Sequence, residues 1–262
     1  LKMRLSVWAT SLSLFTLTFA SPFPVAVSTL QDRDLIERNT PLNEFLTILL
    51  DNIPDISGDI SDVVGVLTDF EALLADLTGE QTTYNELGSS ACAEYTVIFA
   101  RGTTEPGNVG ILVGPPFFEA LESAVGSGNL VIQGVNDYSA SIAGYIEGGD
   151  PTGSAEMATQ IESAYSLCPN TKLIASGYSQ GGQIIHNAIG ELPADVASWI
   201  SKVVIFGDPE TDDGQALPNV DASKVDTYCH VGDDICLNGD LILPPHLTYA
   251  ENAAAAAAFV VS

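Results

Sequence analysis

Short apolar runs rich in β-branched residues recur through the second part of the chain: YTVIFA (95–100), NLVIQGV (129–135), KLIAS (172–176), KVVIFG (202–207) and VDTYCHV (225–231). Runs that are apolar at consecutive rather than alternate positions predict strands buried on both faces. Between them lie PFFEALESAV (116–125), GSAEMATQIESAYSLC (153–168) and QGGQIIHNAIGEL (180–192), and ENAAAAAAFVV (251–261) closes the chain, all with helical patterns. Strands alternating with helices predict one α/β domain, a central five-stranded parallel sheet with helices on both faces. A core of about 170 residues is ample for a single hydrophobic centre.

Ahead of this domain, PLNEFLTILLDNI (41–53) and DISDVVGVLTDFEALLADL (59–77) carry apolar residues at helical spacing, interrupted at Pro54 and Gly58. Two amphipathic helices are expected, within an N-terminal extension over 21–88 that either packs on the domain or serves as a pro-segment. Single arginines, Arg33 and Arg38, offer cleavage points, but no dibasic site is present. Residues 1–20 combine basic Lys2 and Arg4, an apolar centre and Ala20 before SPFP. They read as a secretory signal peptide cleaved after Ala20, too short and too polar in the middle to span a membrane. The sequence begins at Leu1, so either Met3 is the start or the chain is a fragment. The terminal alanine run is not read as a lipid-anchor signal, because a polar spacer is missing.

Charge narrows the partners. Eight Lys and Arg face 34 Asp and Glu, for a formal net charge of −26. Such a chain is not expected to bind nucleic acid or anionic membranes.

The pattern also contains a chemical candidate. GYSQG (177–181) follows the run KLIAS and opens a helical stretch, as a nucleophile elbow does. There Ser179 occupies a strand-to-helix turn too cramped for side chains two positions before and after it. A serine hydroxyl needs a base, and the base needs an orienting carboxylate. Of the three histidines, His186 lies two turns along the same predicted helix and reads as structural. His230 ranks second, and His246 in PPHLTY completes the order Ser, Asp, His. The acid is Asp233 or Asp234, both in CHVGDDIC, where a solvated acidic turn is the alternative reading.

Taken together, ARGTTEPGN (100–108), GYSQG, the C-x6-C loop containing GDDIC, and PHLTY resemble the fungal cutinases, serine esterases of the minimal α/β-hydrolase type. The resemblance covers about residues 90–262, so the long N-terminal extension departs from it. It implies Asp233 as the acid, His246 as the base, and the amides of Thr103 and Gln180 as the oxyanion hole, with Thr103 standing where many members have Ser. It implies no metal or organic cofactor. Secretion makes the four cysteines interpretable as two disulfides. Cys229 is expected to pair with Cys236 around the Asp233 loop and Cys92 with Cys168, the pairing the resemblance also implies.

The resemblance further implies an open cleft without a large lid, and no long insertion separates Asp233 from His246. Ile111 to Val113, Phe117 and Leu241 to Leu243 are candidate acyl-chain contacts, with core packing as the alternative for about half of them. The leading expectation is a secreted, extracellular, monomeric esterase that cleaves cutin and short-chain esters through an acyl-enzyme. Acetylxylan esterase is the second reading, and a non-catalytic surface-binding or host-recognised protein the third.

Overall fold

The computed structural model describes residues 40–126, 128–211 and 216–262. The expected signal peptide and the arginines Arg33 and Arg38 lie outside the described residues. Five strands, β2 (Tyr95–Ala100), β3 (Leu130–Gly134), β4 (Lys172–Tyr178), β5 (Lys202–Phe206) and β6 (Val225–Tyr228), form one parallel sheet in the order β3-β2-β4-β5-β6. Along β2 the side chains alternate between two cores. Val97 and Phe99 join one apolar cluster, and Ile98 and Ala100 join the other. This two-sided burial is why the strands read as unbroken apolar runs.

On the second face lie α5 (Pro151–Leu167), α6 (Gln180–Glu191) and α7 (Ala194–Trp199), contributing Met157, Ile161, Ile184, Ile185 and Val196. The first face is covered by α3 (Gly114–Val125) and α8 (Ala253–Val261), where Phe117 stands edge-on to Phe206. The side chain of Asp150 caps α5 by accepting from the Thr152 and Gly153 amides, with Pro151 filling the first helical position. The predicted strand 225–231 stops at Tyr228, where the chain enters the loop closed by Cys229 and Cys236.

Both N-terminal helices fall where the apolar spacing put them: α1 (Leu42–Asn52) and α2 (Ile60–Thr78), the latter ended by Gly79 at φ 66°. Their buried residues Phe45, Leu49, Leu67, Phe70 and Leu74 belong to the same cluster as Phe99 and Phe117. Just before α2, the two residues of β1 (Gly58–Asp59) pair antiparallel with β7 (Leu241–Ile242). The Ile60 amide continues this contact by donating to the Asp240 carbonyl at 2.9 Å. Both disulfides join the expected partners, with Cα separations of 5.5 Å for Cys92–Cys168 and 6.0 Å for Cys229–Cys236.

Because α2 shares the domain's core, Leu74→Ala is expected to destabilise the whole fold by about 2–5 kcal/mol. Urea unfolding checks this: a single transition shifted to lower denaturant is the expected result, and an unchanged main transition would mean that α2 folds apart from the sheet.

Candidate active site

Strand β4 runs directly into the elbow. Ser179 adopts φ 56° and ψ −121°, an uncommon conformation for a residue with a side chain, and α6 begins at the next residue. The two elbow glycines are required by contact distances. A Cβ on Gly181 would lie 2.1 Å from the Ala100 carbonyl oxygen, and one on Gly177 would lie 2.6 Å from the Gly181 carbonyl oxygen. The Ser179 amide donates to Phe206 O at 2.9 Å, tying the turn to β5.

The elbow meets two segments from the end of the chain. Ser179 Oγ lies 3.0 Å from His246 Nε2, and His246 Nδ1 donates to Asp233 Oδ2 at 2.8 Å. Accepting that bond makes Asp233 select the tautomer that leaves Nε2 free to accept from the serine. His246 is placed by a 3-10 turn (Pro244–Leu247), by stacking on the Tyr178 ring at 5.0 Å, and by Tyr178 Oη donating to its carbonyl. Asp233 also accepts from Tyr249 Oη at 2.6 Å and from the Ile235 amide at 3.1 Å. Burial opposes its charge, but the hydrogen bond and charge of His246, with the bonds from Tyr249 and Ile235, outweigh it and hold its carboxyl below the usual range. Burial pushes the Tyr178 and Tyr249 phenols up, so both are neutral donors.

The remaining candidates are used elsewhere. Asp234 turns away and accepts from the Leu241 amide. His230 stacks on Tyr249 at 4.2 Å, donates through Nδ1 to Pro245 O and meets the Asn252 side chain at Nε2, so it braces the turn that carries His246. His186 pairs with Asp208 at 3.1 Å. Thr103 and Gln180 face each other across the elbow, with Gln180 Nε2 donating to Thr103 Oγ1 at 2.8 Å and to Ser141 O at 2.9 Å. The loop that carries Thr103 is built around Glu105, whose buried carboxyl accepts from the amides of Gly102, Ile111 and Leu112.

The expectation of an open cleft without a lid is corrected. Ser179 is only 3 % exposed, and the space beside it is about 10 Å³, no more than a water needs. Its walls include Ile60, Leu67 and Glu71 of α2, together with Leu112, Tyr178 and Ile242. The segment from Asp233 to His246 holds no long insertion; the cover is instead brought in from the N-terminal segment by the β1–β7 pairing. Of the candidate acyl contacts, Leu112 and Ile242 line this space. Ile111, Val113 and Phe117 are buried in the core. Sequence reasoning missed Glu71, although an acid on the buried stripe that includes Leu67 and Leu74 was a visible signal, and it missed the roles of Tyr178 and Tyr249.

A family model described as Cutinase matches residues 91–262. The chain belongs to the cutinase family. It is a carboxylic ester hydrolase with the α/β-hydrolase fold. Cutinase cut1 of Trichoderma harzianum is 47 % identical over 256 residues, covering 95 % of this chain and 97 % of that one. Among solved structures, Trichoderma reesei cutinase in complex with a C11Y4 phosphonate inhibitor is 46 % identical with a TM-score of 0.69, covering 84 % of this chain and 96 % of that one. An acetylxylan esterase is 25 % identical with a TM-score of 0.55, covering 65 % of this chain and 98 % of that one.

The bond from Tyr249 to Asp233 yields a pH-resolved expectation. A carboxyl whose folded pKa is depressed contributes stability above its unfolded value and loses it as pH falls through the folded value. Tyr249→Phe should therefore cost about 1.5–3 kcal/mol near neutral pH, the range for a hydrogen bond to a charged group. The difference from the parent should shrink below about pH 4, where Asp233 is protonated in the unfolded chain and increasingly in the folded one. Denaturant melts across that range check it, and a pH-independent difference would place the loss in packing alone.

Proposed function

We propose that this cutinase-family chain is a secreted, extracellular serine esterase that cleaves the ester bonds of cutin and short-chain esters through an acyl-enzyme. The observation that carries the reading is the unbroken series from Ser179 Oγ to His246 Nε2, and from His246 Nδ1 to Asp233. Ser179 Oγ attacks the ester carbonyl carbon while His246 Nε2 takes its proton, and Asp233 stabilises the imidazolium. The tetrahedral intermediate collapses, the C–O bond to the alcohol breaks, and His246 returns the proton to the departing alkoxide. Water then repeats the sequence on the acyl-enzyme and releases the acid.

The developing oxyanion is received by the backbone amides of Thr103 and Gln180. Loss of one such donor costs about 2.7–4 kcal/mol of transition-state stabilisation. The Thr103 hydroxyl, held by Gln180 Nε2, is oriented beside that position. An aliphatic acyl chain would lie along Leu112 and Ile242. The closed cavity has no room for any ester, so α2 must be displaced for substrate to bind. The name of the Trichoderma harzianum relative and the inhibitor complex of the Trichoderma reesei one support cutin as the polymer. The likeness to an acetylxylan esterase supports a second reading, deacetylation of a polysaccharide. A complete triad argues against a binding protein without catalysis. We take the working unit to be a monomer.

Initial rates on 4-nitrophenyl esters from acetate to palmitate, with release of hydroxy-fatty acids from cutin, test the reading. Short-chain preference and cutin release are expected, and Ser179→Ala should reduce both by about four orders of magnitude or more. Activity confined to acetate would move the assignment to the polysaccharide esterase, and Ser179-independent rates would reject the mechanism. The net charge of −26 adds a second expectation, because cutin bearing free carboxylates repels the enzyme at neutral pH. Added salt screens that repulsion, so polymer hydrolysis should rise with ionic strength while soluble-ester rates stay level. Equal responses would remove the repulsion from the account.

A further inference from the structure

Of the buried residues of α2, Ile60, Leu67, Phe70 and Leu74 are apolar, and the remaining one is Glu71. It is 2 % exposed, lines the same small space as Ser179 and His246, and has one carboxyl oxygen, Oε1, buried without a hydrogen-bond partner among the described residues. An acid in this place would cost least as the neutral form, because an ionised and unpartnered carboxylate buried away from bulk water is expensive. The neighbouring charges do not rescue it. From the loop after β2, Glu105 is of like sign, and the Arg101 guanidinium is engaged by the carbonyls of Glu105 and Tyr138. From β4, Tyr178 is a neutral phenol. From the catalytic turn comes His246, with Asp233 on its far side. Burial first, and then Glu105, push the Glu71 carboxyl up to about 9, against a smaller opposing effect of Arg101.

We propose that α2 is a proton-latched lid, closed over Ser179 while Glu71 carries its proton and displaced when Glu71 ionises, so that alkalinity opens access to the nucleophile. The short β1–β7 pairing at one end of α2 and the Gly79 turn at the other bound the moving segment. On the open lid, water returns the carboxyl to its ordinary value of 4.5. Below that value the proton is held in both states, and closure is at full strength. From there up to about 9, opening releases a proton, and the open population rises by up to tenfold per pH unit. Glu80, just beyond α2, is a second partly buried acid, pushed up to about 7 chiefly by burial and bonded by the Thr40 amide. It is common to the proteins compared below and cancels between them.

The gating inference rests on Ser179 being the nucleophile, whereas its first test does not. Amide hydrogen exchange of residues 60–78, measured by mass spectrometry, is compared between the full chain and Glu71→Gln at each pH, so that base-catalysed intrinsic exchange cancels. Exchange should agree within a few-fold near about pH 5, and the parent should exchange at least about tenfold faster near about pH 8. Glu71→Leu, which removes the polar atoms and keeps the bulk, should behave as Glu71→Gln does. A parent-to-variant ratio that stays constant with pH for both substitutions would overturn the latch. Inactivation by an alkyl phosphonate, run in parallel, should follow the same ratio. A flat inactivation ratio alongside a rising exchange ratio would overturn gating of the nucleophile. Exchange that behaves as expected while the parent forms no phosphonate adduct at any pH would instead overturn the esterase reading and leave the lid mechanism standing.

Discussion

The contact between the elbow and strand β2 is the constraint from which the site is built. Gly181 approaches the Ala100 carbonyl so closely that no Cβ fits, and Gly177 is closed in by Gly181 in turn. That proximity follows from the register in which Ala100 pairs with Gly177. It holds Ser179 at positive φ at the carboxyl end of the sheet, where a parallel α/β sheet presents its ligand sites. The same register delivers the loop after β2, with Thr103 and the carboxyl of Glu105, to the side of the serine. A strained turn of this kind persists only because neighbouring strands over-determine it.

The proposed acid and base are held by different means. Asp233 lies in a loop closed by the Cys229–Cys236 disulfide and is surrounded by donors: the imidazole, the Tyr249 phenol and the Ile235 amide. Those donors keep a buried carboxylate charged. His246 is gripped through its ring by Tyr178 and through its carbonyl by the same residue's hydroxyl. Tyr249 links the two, because its oxygen accepts from the His230 amide while donating to Asp233. His230, a candidate base by sequence, thus supports the geometry of the histidine that faces Ser179.

The N-terminal helices alter the character of the enzyme relative to an open-cleft esterase. Phe45, Leu49, Leu67 and Leu74 share the core of the sheet's first face, so the cover over Ser179 is part of the fold. The closed state nonetheless contains an electrostatic cost, a buried acid beside another buried acid. In the proposed mechanism stability and access therefore oppose each other at α2, where packing favours closure and substrate binding calls for displacement.

The strands, the flanking helices and the elbow were legible in the sequence because each depends on local periodicity or on a short motif with steric necessity. KLIAS leading into GYSQG carries its own geometry, and the two N-terminal helices declare themselves through apolar spacing. The residues alone left Asp233 and Asp234 equivalent; family resemblance favoured Asp233, and the fold separates them by aiming one at His246 and the other at the Leu241 amide. The lid was illegible for a related reason. Its position depends on a two-residue strand pairing between Gly58–Asp59 and Leu241–Ile242, segments far apart in the chain with no pattern that announces their contact. Sequence by itself determined which segments become strand, helix and elbow, since backbone preference and burial act over neighbouring residues. Tertiary structure alone decided what covers the serine and which acids are deprived of water, because desolvation and charge are set by whatever the fold brings within a few ångströms.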